Sequence, residues 1–238
     1  MKNKWNISNL SVLFLFLTIG VALFSWIASI HGWEGVQSLL SAEGVRWVLG
    51  HVVESYVQVP ALGIVLIALM GMGVGVRAGL YEVLKRRAWQ KKMLSRKERR
   101  ALMMAIMVFV AYGITVLVAV MLPWNFLQSV TGSWLHSPFS KGLVYILSVG
   151  LGLSGMAYGY VSDTFHRVSQ VVEAMSCLIA RQASYFVTLF FIVQFFSVLV
   201  YTRLPEWMNI SDGVLNAVYQ LFCYLPLLVM FMPGKRSN

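Results

Sequence analysis

Along this chain, apolar positions gather into six near-continuous blocks, at 10–30, 61–80, 101–121, 142–161, 183–201 and 214–232, and polar positions crowd between them. Each block holds about 20 residues, or about 30 Å of helix, which matches the hydrocarbon core of a bilayer. No Asp, Glu, Lys or Arg stands near the middle of any block. Arg77 comes near the inner end of the second, where a long side chain can reach the headgroups. The pattern predicts an all-α, polytopic membrane protein with six transmembrane helices.

Two further stretches show helical period with one polar face. Over 41–56, Ser41 is a cap candidate followed by Glu43, and Val45, Trp47, Val48, Val52 and Val53 alternate with Arg46, His51 and Glu54. This predicts an amphipathic helix in the outer interface, anchored by Trp47 and separated from the second span by Pro60. Over 164–181, Val168, Val171, Val172, Met175 and Leu178 recur three and four apart while His166, Glu173 and Arg181 are polar, so a second such helix should lie along the inner surface. Trp5, Trp33, Trp124, Trp134, Tyr201 and Trp207 fall near span ends and form an interfacial belt.

Composition agrees with this reading: 58% of residues are hydrophobic and 12% charged, which leaves little chain for a water-soluble domain. The net charge of +10 changes the picture only through its position. Lys85, Arg86, Arg87, Lys91, Lys92, Arg96, Lys97, Arg99 and Arg100 share one linker with a single acid, Glu98. A basic run beside two spans is the signature of a cytoplasmic loop rather than of a nucleic-acid surface. The chain therefore divides into an N-terminal membrane segment (1–84), a basic linker (85–100) and a C-terminal membrane segment (101–238). Lys2 and Lys4 precede the first span, while the loop after it has no lysine and carries Glu34, Glu43, Arg46, His51 and Glu54. Both termini, the linker and 162–181 are thus expected inside, and 122–138 and 202–213 outside. The first block is too long for a signal peptide, and Trp26, Ile27 and Ile30 stand where small cleavage-site residues would be needed, so it reads as a retained span. Cys177 and Cys223 imply neither a disulfide framework nor a metal site.

Candidate chemistry is sparse. Gly63, Gly71, Gly73, Gly75 and Gly79 fall in or beside the second span, and Gly150, Gly152, Gly155 and Gly159 in the fourth with Ser148 and Ser154. Small residues let helix backbones approach closely in lipid, and Gly71, Gly73, Gly75, Gly152 and Gly155 are the packing candidates. The functional alternative is a discontinuous helix of the kind transporters place at their sites. The uncharged polar residues inside spans are Gln194 in the fifth, with Asn216, Tyr219 and Gln220 in the sixth. Hydrogen bonds between helices or a substrate contact would each explain them. The lack of a carboxylate within the spans argues against ion-driven transport by this chain alone. His31, His51, His136 and His166 have no metal-ligand spacing, and neither a G-x-S-x-G nor a phosphate-binding loop is present. No enzyme, cofactor or metal is expected.

Two stretches carry a family resemblance. Residues 39–80 read LLSAEGVRWVLGHVVESYVQVPALGIVLIALMGMGVGVRAGL, and residues 137–195 contain S-P-F-S-K-G, A-Y-G, V-V-E-A-M and F-F-I-V-Q-F in order. They resemble the p-aminobenzoyl-glutamate transporter (AbgT) family, whose members import that folate breakdown product or expel sulfonamide-type antimetabolites. The resemblance implies a bacterial-type inner-membrane protein handling a small anionic solute, as a homodimer or with a partner membrane chain, and without nucleic acid. It also implies departures. Family members are about twice this length, and the part between the two stretches, with the first re-entrant hairpin and an aspartate-bearing core segment, has no counterpart here. Residues 183–232 would then either cross the bilayer or fold back as a re-entrant hairpin. Only Gln194 and Thr202 stand near the family's substrate region. A shortened relative could serve transport with a partner, or persist as a non-transporting scaffold or regulatory subunit that keeps the dimerising frame.

Overall fold

The structure is a computed structural model that describes residues 7–89, 93–121 and 138–231. In chain order the helices are α1 (Ile7–Ile30), α2 (Ala42–Val57), α3 (Pro60–Ala78), α4 (Leu80–Trp89), α5 (Arg96–Met121), α6 (Pro138–Val161), α7 (Val168–Arg181), α8 (Ala183–Tyr201), α9 (Leu204–Trp207) and α10 (Asp212–Phe231). The described residues contain no strand. Five runs among them are long and apolar enough to cross a bilayer: Asn9–Ile30, Ala42–Ala78, Arg96–Met121, Gly142–Val161 and Ala183–Tyr201. The second of these joins α2 to α3, and α10 follows the sixth predicted block with Pro226 inside it. The expectations resting on Lys2, Lys4, Trp5, Lys91, Lys92, Trp124, Trp134, His136, Lys235 and Arg236 lie outside the described residues.

Local chemistry sets the helix ends. Ser41 Oγ accepts the Gly44 N–H at 3.1 Å and starts α2. A Cβ on Gly44 would collide with the Leu39 carbonyl, so the cap turn requires glycine there. Gly79, at φ +86°, closes α3 in the left-handed region and α4 begins directly after it. The basic linker is more helical than its charge suggests, because α5 begins at Arg96 rather than at 101. Ser95 and Glu98 form a reciprocal capping box: the Glu98 N–H donates to Ser95 Oγ at 3.1 Å and the Ser95 N–H donates to Glu98 Oε2 at 2.9 Å.

Two compact units form. The first comprises Met1–Leu62 and Gln182–Asn238, the second Gly63–Arg181. In the first, α1 lies along α8, where the Ser11 and Thr188 hydroxyls meet at 2.6 Å. Phe14 is buried against the rings of Phe195, Phe196 and Phe222. Tyr185 is fully buried in α8 and donates its hydroxyl to the Cys223 carbonyl of α10 at 3.0 Å. Pairing of distant chain segments is what makes this unit discontinuous. In the second unit, α5 packs along α6, and Val74, Ala78, Val83, Ala101, Ala105, Tyr158, Phe165, Val171 and Ala174 share one buried cluster.

Candidate functional site

In the first unit, α8 carries Gln194, half-buried, whose Nε2 donates to the Val52 carbonyl of α2 at 2.9 Å. Thr202 caps the C-terminus of α8 and is fully buried. Its Oγ1 donates to the Leu199 carbonyl at 3.0 Å, and its own carbonyl accepts the Gln37 N–H at 3.1 Å. Arg203 then takes a left-handed turn, at φ 54°, which breaks the helical run before α9. Both sequence-derived substrate candidates are therefore engaged in the fold's own hydrogen bonds.

The structure brings other residues together. Phe196, Ser197 and Val200 of α8, Trp47 of α2, and Asp212, Leu215, Asn216 and Tyr219 of α10 line an open cleft of about 410 Å³. The spacing 212, 215/216, 219 puts one stripe of α10 on it. Phe196 and Tyr219 meet edge to face at 5.3 Å, and Trp47 stacks on Tyr201 at 4.4 Å. The lining offers aromatic faces, two hydroxyls and an amide. Its single charge is the Asp212 carboxylate at the start of α10. Such a cleft can hold a flat ring and donate to it, and by charge it favours a neutral or cationic group over an anion. Asn216 and Tyr219, noted in the sequence, are in it; Gln194, Thr202 and Gln220 are not among its lining residues. Sequence reasoning missed Ser197 and Asp212, and took Trp47 for a membrane anchor only. The i, i+3, i+7 stripe of α10 was the available signal.

The packing glycines lie in the second unit and divide between two partners. A Cβ on Gly71 would overlap the carbonyl and hydroxyl of Ser148, and one on Gly155 would come within 2.8 Å of the Gly75 backbone nitrogen. A Cβ on Gly152 would be 3.8 Å from the Gly71 Cα. Ser148 Oγ also donates to the Ile67 carbonyl, so α3 and α6 cross with backbones nearly touching. Gly73 faces elsewhere: its Cβ would stand 2.5 Å from the Ala174 carbonyl of α7. Helical rotation explains the split, since a step of two residues turns the side about 200° away and a step of four returns it. The described residues hold no cluster of His, Cys, Asp or Glu suited to a metal.

Bilayer-length helices and small-residue crossings together define a polytopic α-helical membrane protein. The chain belongs to the AbgT putative transporter family, whose sequence pattern it matches over residues 6–91 and 84–232. The match comes in two stretches that overlap at 84–91, on the basic linker. No curated protein sequence matches the chain. Solved structures that share its fold include the following two. Neisseria gonorrhoeae MtrF, described with a class of antimetabolite efflux pumps, superposes with a TM-score of 0.73 at 14% identity, covering 92% of this chain and 80% of its own. The Alcanivorax borkumensis YdaH transporter, described as having an unusual topology, gives 0.71 at 18% identity, covering 94% and 75%.

Proposed function

We propose that this chain is a membrane component of AbgT type, concerned with the transport of p-aminobenzoyl-glutamate-like anionic solutes or with antimetabolite efflux. The family match over nearly the whole chain carries this reading. The aromatic cleft of the first unit suits a p-aminobenzoyl ring. Its one charge, Asp212, repels the carboxylates such a solute bears. The cations an anion needs must then come from beyond the cleft, which is why a second copy or a partner membrane chain enters the proposal. The protein is placed in the cytoplasmic membrane with both termini and the linker inside, on the distribution of Lys and Arg.

A second reading, a non-transporting scaffold, is favoured by the internal hydrogen bonds of Gln194 and Thr202. Reconstitution separates the two. The purified chain in liposomes should give no p-aminobenzoyl-glutamate flux under a proton or sodium gradient, because no carboxylate stands near the middle of any of the six apolar blocks to carry the ion. Flux that appears with a partner chain supports the transport reading, whereas a stable dimer without flux in any combination supports the scaffold. Gradient-driven flux by the chain alone, lost on Gln194→Leu, would overturn both the partner requirement and the structural role of Gln194.

A further inference from the structure

The cations of the linker are not evenly neutralised. Arg86 pairs with Glu98 at 3.2 Å and Lys97 pairs with Asp163. Lys85 and Arg87 of α4 and Arg96, Arg99 and Arg100 of α5 are exposed and have no acidic partner among the described residues. The only carboxylate left over on these two helices is Glu82. Like charges gather here because α4 and α5 share the buried cluster of Val83, Ala101, Leu102 and Ala105, and the Arg86–Glu98 pair joins them at their polar ends.

The apolar surface next to these cations is broad, with Ile106 and Val118 of α5 also more than half exposed. From Arg99 and Arg100, the stripe Met103, Met107, Val110, Ile114, Leu117 and Met121 runs along α5 at steps of four and three, and each of its members is more than half exposed. On α4, Tyr81 and Leu84 are exposed on the face that carries Lys85, so this short helix also presents apolar groups beside a cation. A solvated basic loop has no use for that arrangement. A phospholipid has: its phosphate meets the guanidinium groups, and its acyl chain runs from Arg99 toward Val110, a helix rise of about 16 Å, or about half the hydrocarbon core.

We infer that the α4–α5 end of the second unit is a binding site for an anionic phospholipid, held through its headgroup phosphate by Arg96, Arg99 and Arg100 with Lys85 and Arg87, and through an acyl chain by the exposed stripe of α5. The cluster has the density of cations that anionic membrane surfaces attract. The planar guanidinium groups also match phosphate oxygens in pairs.

Native mass spectrometry of the full chain in neutral detergent, titrated with phosphatidylglycerol or with phosphatidylcholine of the same acyl chains, tests the site. Phosphatidylglycerol should be retained at least tenfold better. The double variant Arg99→Gln/Arg100→Gln should weaken its retention about thirtyfold. The charge-keeping Arg99→Lys/Arg100→Lys should retain most of it. If the glutamine pair does not fold, as judged by its elution volume and melting, Lys85→Gln/Arg87→Gln reads the same comparison from α4. Equal retention of the two lipids, or glutamine variants that bind as the parent does, would overturn the assignment. So would displacement of the lipid by millimolar inorganic phosphate or by a short oligonucleotide, since each would mean a free-anion or nucleic-acid surface instead.

Discussion

Replacing Gly71 by alanine adds one methyl group at the point where α3 and α6 pass closest. That methyl has no room, because its carbon would overlap the Ser148 carbonyl and hydroxyl, and both belong to a buried residue of α6. The helices must part or one must bend. Overpacking of this kind costs about 1–3 kcal/mol. Moving Ser148 also loosens its hydrogen bond to the Ile67 carbonyl, and interhelical hydrogen bonds in membranes average about 0.6 kcal/mol. Alanine gives back up to about 1 kcal/mol through its better helix propensity. The net is a destabilisation of about 0.5–2.5 kcal/mol. Gly113 of α5, in the same unit, is the control: nothing lies within 4 Å of its added Cβ, so Gly113→Ala should be neutral or stabilising. Chemical and thermal unfolding of both variants in the same detergent gives the comparison. A Gly71→Ala protein as stable as the parent, or a Gly113→Ala protein that loses as much, would show that the crossing is not tightly packed. Gly73→Leu extends the test to the other partner, since its side chain would be driven into the Ala174 carbonyl of α7.

The hydrogen bond from Lys97, with the charge of that lysine, holds the Asp163 carboxyl below its ordinary range. The stabilisation from this exposed group is therefore present above the ordinary carboxylate pKa and lost as pH falls through the lowered value. Asp163→Asn keeps a residue that tolerates the left-handed φ of 59°. The melting gap between parent and variant should close on acidification, and a gap unchanged from neutral pH to acid would refute the pairing. Single cysteines at Ser95 and Ser211, in a background without Cys177 and Cys223, should label from opposite sides of the membrane, Ser95 from inside; labelling of both from outside would refute the topology argued from charge.

The helical spans were legible along the chain because the bilayer imposes one requirement on each separately: enough apolar residues in a row, with backbone polar groups satisfied inside the helix. For that reason α8 occupies 183–201 as its block predicts, and both amphipathic helices, α2 and α7, follow the three-and-four spacing of their apolar residues. The start of α5 was legible too, in the Ser95–Glu98 spacing of a capping box. What depended on the third dimension is every choice among equivalent neighbours. Gly71, Gly73 and Gly75 look alike in sequence, yet Gly71 and Gly75 meet α6 while Gly73 meets α7. Gln194 has the chemistry of a binding residue and bonds the Val52 carbonyl, and Asp212, written in a loop, joins Trp47, Ser197 and Tyr219 around a cleft. Lipid acts on each helix through its own composition, whereas partners are selected by close packing between segments far apart in the chain, and no local pattern encodes which of them will meet.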